Sequence, residues 1–170
     1  MLGLLKKKGH DPDLHVYVDG GVVSNNPSAI GGTWAFVVVR SDVCLEVASG
    51  YVRPADLGVR VVTNNQTELL AAVTAMECLS EEFDGTLHTD SQVTIHRLNR
   101  GALNGVPQCL RDRLSIQLAR MTLLTFEHVA GHPTEEELAA GHRGGTPVSK
   151  WNRMCDEMCG RAAKTMLAGA

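Results

Sequence analysis

A change of hydrophobic period partway along the chain sets the strongest limit on its fold. From His15 to Val23 the residues HVYVDGGVV place Val16 and Val18 on one side and His15, Tyr17 and Asp19 on the other, the period of a strand with one buried face. SNNPSAIGG is a turn by composition, TWAFVVVR from Thr33 to Arg40 reads as a second, largely buried strand, and CLEVASGYV after Ser41-Asp42 reads as a third. Two short connections in succession imply an antiparallel meander, because parallel neighbours need a long crossover. From Thr63 the apolar positions become Leu69, Ala72, Val73, Met76 and Leu79, which is helical spacing, with Thr63 or Asn64 placed to cap the helix.

Beyond that helix, strands and helices alternate. GTLHTD reads as a short strand ending in Asp90, SQVTIHRLNRG as a helix between Ser91 and Gly101, and a further helix runs roughly from Pro107 to Met121. LLTFEHVAG makes a fifth strand, and SKWNRMCDEMCGRAAKTML a closing helix capped by Ser149. Strand-helix-strand segments favour right-handed crossovers to parallel neighbours. The expected fold is therefore α/β: a five-stranded mixed sheet, an antiparallel meander continued by parallel strands, with helices packed on it. Residues 1–13 are expected to form a flexible N-terminal tail, and residues 14–170 a single domain.

Composition narrows the classes of function. A formal net charge of −3 excludes a protein that binds polyanions simply by being basic, but not a nucleic-acid enzyme whose acids gather around cations. With 44% hydrophobic and 21% charged residues the chain is of the soluble globular kind rather than disordered or membrane-spanning. Its five cysteines are scattered, without a CxxC pair, and the opening MLGLLKKKG has its basic residues on the wrong side for an export signal. Reduced thiols in a cytoplasmic setting are expected, with Cys155 and Cys159, on one helical face, serving as core.

Four acids sit at informative places: Asp19 in a strand otherwise without charge, Glu68 in the first turns of a helix, Asp90 at a strand end, and Asp156 on the last helix. Taken singly each has an ordinary reading, as a surface or turn residue or, for Glu68, as a helix-start acid favoured by the dipole. Glu135 to Glu137 read as a solvated loop or helical turn. Taken together the four pose an electrostatic problem, since two carboxylates about 4 Å apart repel by roughly 4 kcal/mol at an effective dielectric near 20. Such a cluster needs a cation or shifted pKa values, and hard oxygen ligands select magnesium or manganese.

YVDGG, TNNQTELLAA, HTDSQ, VAGH and NRMCDEM, in this order and on these elements, resemble the type 1 ribonuclease H family over about residues 15–164. The resemblance implies a ribonuclease H-like fold and an endonuclease that cuts the RNA strand of an RNA-DNA hybrid, leaving a 5′-phosphate and a 3′-hydroxyl. It implies that Asp19, Glu68, Asp90 and Asp156 ligate two magnesium ions, with manganese as a possible substitute. One ion then lowers the pKa of an attacking water while the other stabilises the leaving 3′-oxygen. It further implies that Gly20, Gly21, Asn65 and Gln92 read the 2′-hydroxyl in the minor groove, and that Asn26, Thr63 and Asn64 touch the hybrid's backbones. His132 of VAGH would assist the attacking water or product release, as an imidazole able to take and return protons. The implied partner is the hybrid duplex alone, met by a monomer with no membrane and no obligatory protein partner. Two other readings stand beside this one: a structure-selective DNA nuclease of the same fold, and a non-catalytic hybrid-binding module.

The chain also departs from the family pattern. Gly21 stands where Ser is common, and the turn VVSNNPSAIGG is longer by one residue. RLNRGALNGVPQCLRDRL is short and lacks the basic, Trp-containing protrusion that grips the duplex in many members, a loss for which Lys6 to Lys8 are candidates to compensate. Two Gly-His dipeptides occur, Gly131-His132 and Gly141-His142, and continuity with the fifth strand favours His132. The stretch from Pro133 to Lys150, with HRGGTP inside it, is longer than the family needs and reads either as a lid that touches substrate or as a plain loop extension.

Overall fold

The computed structural model describes residues 13–169, so most of the N-terminal tail expected from the sequence, Lys6 to Lys8 included, lies outside the described residues. β1 (Leu14–Val22), β2 (Gly32–Arg40) and β3 (Val43–Val52) form the antiparallel meander. After a 3-10 turn at Pro54–Leu57 come α1 (Asn64–Cys78), β4 (Thr86–Thr89), α2 (Gln92–Arg100), α3 (Gln108–Arg120) and β5 (Thr125–His128). The order in the sheet is β3-β2-β1-β4-β5, with β4 parallel to β1 and β5 parallel to β4. This is the expected five-stranded mixed sheet, and β1 is the strand at which antiparallel pairing gives way to parallel.

Strand alternation divides the core into two layers. Val16, Val18, Phe36 and Leu87 point to the face covered by α1 and α3, where they meet Leu69, Val73, Met76, Leu110 and Leu114. Burying such a side chain stabilises the fold by about 1.5–3 kcal/mol relative to leaving it in water. Ala35, Val37 and Val39 point the other way, against Cys155, Met158 and Cys159 of α5 (Lys150–Ala168). The Cys155 thiol donates to the Tyr17 carbonyl at 3.3 Å and the Cys159 thiol to the Asp19 carbonyl at 3.5 Å, so the two cysteines do pack as core, seating α5 along β1. All five cysteines are free thiols. Among the described residues no helix is long and apolar enough to cross a membrane.

The segment between β5 and α5 differs from its sequence reading as a loop. It contains α4 (Glu135–Ala140) and a small antiparallel pair, β6 (His142–Arg143) with β7 (Thr146–Pro147). Elsewhere the expected elements form with shifts of a residue or so. Thr63 occupies the cap position of α1, where its N–H donates to the Gln66 side chain at 3.0 Å, and the Ser149 hydroxyl caps α5 by accepting from the Trp151 N–H.

Candidate active site

The parallel pairing of β1 with β4 brings two of the four acids together. Tyr17 and His88 face one another across this pair and stack with ring centroids 4.6 Å apart; Asp19 and Asp90 each lie two residues further on, at the carboxyl end of the pair. Ligand sites in open α/β sheets form at such ends, where strand order switches. Asp19 is only 8% exposed. Burial first, then the charges of Asp90, Asp156 and Glu68, push its pKa up to about 8, while the Gly20 N–H, donating to Oδ1 at 2.8 Å, opposes the shift.

Glu68 is delivered by α1, which crosses β1 at very close range. A Cβ placed on Gly20 would lie 2.3 Å from the carbonyl carbon of Thr67, and one on Gly32 of β2 would lie 2.2 Å from the Thr67 methyl. Glycine in both strands is what allows the helix backbone to descend onto the sheet. Burial and the charge of Asp90 raise the Glu68 pKa, opposed by the neighbouring Ser91 side chain. The Ser91 hydroxyl accepts from the Thr94 N–H at 3.2 Å as the cap of α2, so the start of α2 stands beside Glu68.

Asp156 lies on the face of α5 turned toward this end of the sheet, with His132 beside it: Nδ1 of His132 is 3.3 Å from its Oδ2. The Asp90 pKa is raised by burial, against which His132 and Asn152 act. Of the two Gly-His dipeptides, only the first reaches the acids. His142 is exposed on the small hairpin. His88, though two residues from Asp90, faces Tyr17 and His15; burial and the neighbouring His15 lower its pKa to about 4, which keeps it neutral near neutral pH.

The remaining residues expected from the sequence lie around the starts of α1 and α2. Asn26 is exposed, and its side-chain oxygen accepts from the Asn64 N–H at 3.3 Å, while the Asn64 side-chain oxygen is buried without a hydrogen-bond partner. Asn65 and Gln92 are exposed, and Gly21 is half-buried with the Thr33 hydroxyl at 3.5 Å from its carbonyl. The interval between α2 and α3 is short, as expected. Of the arginines in the helices that flank it, Arg113 of α3 is committed to Glu77 in a two-pronged pair, and Arg97 of α2 donates to the Asn65 carbonyl at 3.0 Å.

Asn152 and Arg143 are residues that sequence reasoning did not single out. Asn152 is 1% exposed, one helical turn before Asp156; its amide faces Asp90 without closing a hydrogen bond of ordinary geometry, and both its polar atoms lack such a partner. The i, i+4 spacing in NRMCD was the available signal. Nothing in sequence spacing marks Arg143.

Solved structures of ribonucleases H share the fold: the crystal structure of RNase H1 from Halobacterium salinarum NRC-1 superposes with a TM-score of 0.62 at 22% identity, covering 89% of this chain and 98% of that one. The chain belongs to the ribonuclease H family, whose model, described as RNase H, matches residues 11–164. Among its relatives, a protein named Ribonuclease H from Chlorobium phaeobacteroides (strain BS1) is 28% identical over 162 residues, covering 88% of this chain and 94% of the relative. One named Ribonuclease HI from Vibrio cholerae serotype O1 (strain ATCC 39315) is 28% identical over 153 residues, covering 89% and 88%.

Proposed function

We propose that the protein hydrolyses the RNA strand of RNA-DNA hybrids with divalent cations held by Asp19, Glu68, Asp90 and Asp156, leaving 5′-phosphate and 3′-hydroxyl ends. The observation that carries this reading is the buried Asp19 at the sheet's switch point, ringed by Asp90, Asp156 and Glu68 and pushed up to about 8. Among the described residues no three His, Cys, Asp or Glu side chains are gathered closely enough to enclose an ion as they stand. The donor set fits magnesium or manganese: every ligand is a hard carboxylate oxygen, and the unpartnered Asn152 amide stands beside them. Bound cations would let the four acids ionise together and would polarise the attacking water and the scissile phosphate.

The chain's own residues do the rest. Asp19, central among the acids, would be one of the carboxylates that hold the cations. His132, its Nδ1 turned to Asp156, keeps Nε2 for taking or returning a proton. Gly21, Asn65 and Gln92 offer backbone and amide groups to a shallow groove carrying 2′-hydroxyls, and Asn26, Thr63 and Asn64 would meet the strands' backbones. Gly20 adds only its backbone there. The reading places a monomer in a reducing, cytoplasmic compartment.

Magnesium-dependent digestion of labelled RNA-DNA hybrid, RNA duplex, DNA duplex and a four-way junction tests this. Cutting confined to the RNA strand of the hybrid is expected; junction cutting would support the DNA-nuclease reading instead, and binding without cutting the non-catalytic one. A second expected outcome separates the histidines. His132→Ala lowers kcat on the hybrid by about a hundredfold, as loss of a proton-transfer group does, while His142→Ala leaves it within about twofold. The reverse order in steady-state kinetics would remove His132 from the site.

A further inference from the structure

The backbone that carries His132 is held in an unfavourable conformation. His132 has φ of 47°, in the left-handed region that side chains other than glycine's rarely adopt. Such a conformation persists only where the surroundings fix it. One side of the fixing is steric: a Cβ on Gly131 would lie 2.1 Å from Asp90 Oδ2, so the loop is pressed directly onto that carboxylate.

The other side is a single guanidinium. Arg143 Nη1 donates to the Gly131 carbonyl at 3.0 Å and Nη2 to the His132 carbonyl at 2.9 Å, gripping both peptide groups next to the histidine's Cα. Its Nε and Nη2 meet Glu137 Oε1 and Oε2 at 2.6 and 2.7 Å. Glu137 is itself fixed, because Oε2 accepts from the Thr134 N–H at 2.9 Å while its own N–H donates to the Thr134 hydroxyl, the reciprocal cap of α4. The Ala130 N–H donates to the Pro147 carbonyl at 2.8 Å, tying the far strand of the hairpin to the residue just before the loop. α4 and the hairpin thus form a brace around residues 130–132.

We infer that Arg143 is a positioning residue for His132, and that the inserted segment is a fixed brace for that histidine rather than a lid. The inference rests on the reading of His132 given above. Bulk stability is not what the fork supplies, since Arg143 and Glu137 are solvent-accessible and accessible ion pairs contribute little to it. What it supplies is direction: a planar fork reaches two carbonyls and a carboxylate at once, which an ammonium cannot do.

Arg143→Ala and Arg143→Lys, alone and combined with His132→Ala, test the assignment. Arg143→Ala is expected to lower kcat on the hybrid by about tenfold with KM within about twofold, because the reacting groups are displaced and not removed. Arg143→Lys behaves like the alanine variant, and Arg143→Ala adds nothing to His132→Ala. In metal-free protein the backbone order parameters of Gly131 and His132 fall from about 0.85 toward 0.6 in Arg143→Ala, with melting temperature nearly unchanged. Full activity in Arg143→Lys, additive losses, or unchanged order parameters would overturn the inference. If His132→Ala itself turns over normally, the role given to His132 falls, and the order parameters still decide whether Arg143 holds the loop.

Discussion

Asp19→Asn abolishes hybrid cleavage, by at least about a thousandfold, and makes the metal-free protein more stable to heat. The first effect follows from removing a carboxylate proposed to hold the cations, the second from burial of this carboxylate beside three others. Its pKa rises from an ordinary 3.8 to about 8 in the folded chain, by burial foremost and then by Asp90, Asp156 and Glu68. Between those values the native state binds more protons than the unfolded state, so metal-free stability falls as pH rises from about 4 to about 8 and levels off above. A displacement of this size sets a ceiling on the order of 5 kcal/mol. Asparagine has the same shape and never ionises, so the gap in melting temperature between variant and parent is small near pH 4 and widens up to pH 8. If these acids hold magnesium as proposed, adding it narrows the gap from the parent's side by neutralising them. Melting curves of both proteins in chelator, taken at several pH values, check this. Parallel curves would mean that Asp19 ionises in the folded state as freely as in the unfolded one.

The elements that deliver the acids were legible because each carries a strong local period. β1 alternates cleanly up to Asp19, and α1 places Leu69, Ala72, Val73 and Met76 on one face, with all four fully buried. The short β-turns dictated the meander, and continuity with β5 pointed to His132, the histidine whose Nδ1 lies 3.3 Å from Asp156. α4 was not legible as more than a possible turn: it spans six residues, buries none of them, and has no apolar face to show. Its start is fixed by a cap and its place by Arg143 reaching back in the chain to Glu137, which are side-chain contacts rather than periodicity. Arg97 illustrates the same limit. In the sequence it is one of the arginines of the short stretch RLNRGALNGVPQCLRDRL, whereas in the fold it joins α2 to the Asn65 carbonyl, near Glu68. Gly20 and Gly21 were alike in the sequence and read as a groove-facing pair. The structure separates them, because alternate residues of a strand face opposite sides of the sheet and only the Gly20 side meets α1.

Gly20→Ala destabilises the protein strongly, while Gly21→Ala is nearly silent in melting. At Gly20 the added methyl would lie 2.3 Å from the carbonyl carbon of Thr67, 2.4 Å from its oxygen and 2.5 Å from the Glu68 nitrogen. All three are backbone atoms of α1, and no side-chain rotation relieves them. The helix has to move outward as a body, loosening Leu69, Val73 and Met76 from the sheet and drawing Glu68 away from Asp19. Overpacking of a well-filled core costs about 1–3 kcal/mol, and a clash with fixed backbone belongs at the upper end, or roughly 6–12 °C in melting temperature for a domain of this size. At Gly21 the nearest atom to an added methyl is the Thr33 hydroxyl at 3.5 Å, an ordinary contact, so melting stays within about 2 °C. Activity below the melting range separates the two residues further. Gly20→Ala lowers kcat because Glu68 is displaced, whereas Gly21→Ala raises KM for the hybrid if position 21 faces the minor groove. Should Gly20→Ala melt like the parent and lose only affinity for the hybrid, the close approach of α1 to β1 would not be the reason for glycine there, and Gly20 would return to the groove-reading role that its sequence context first gave it.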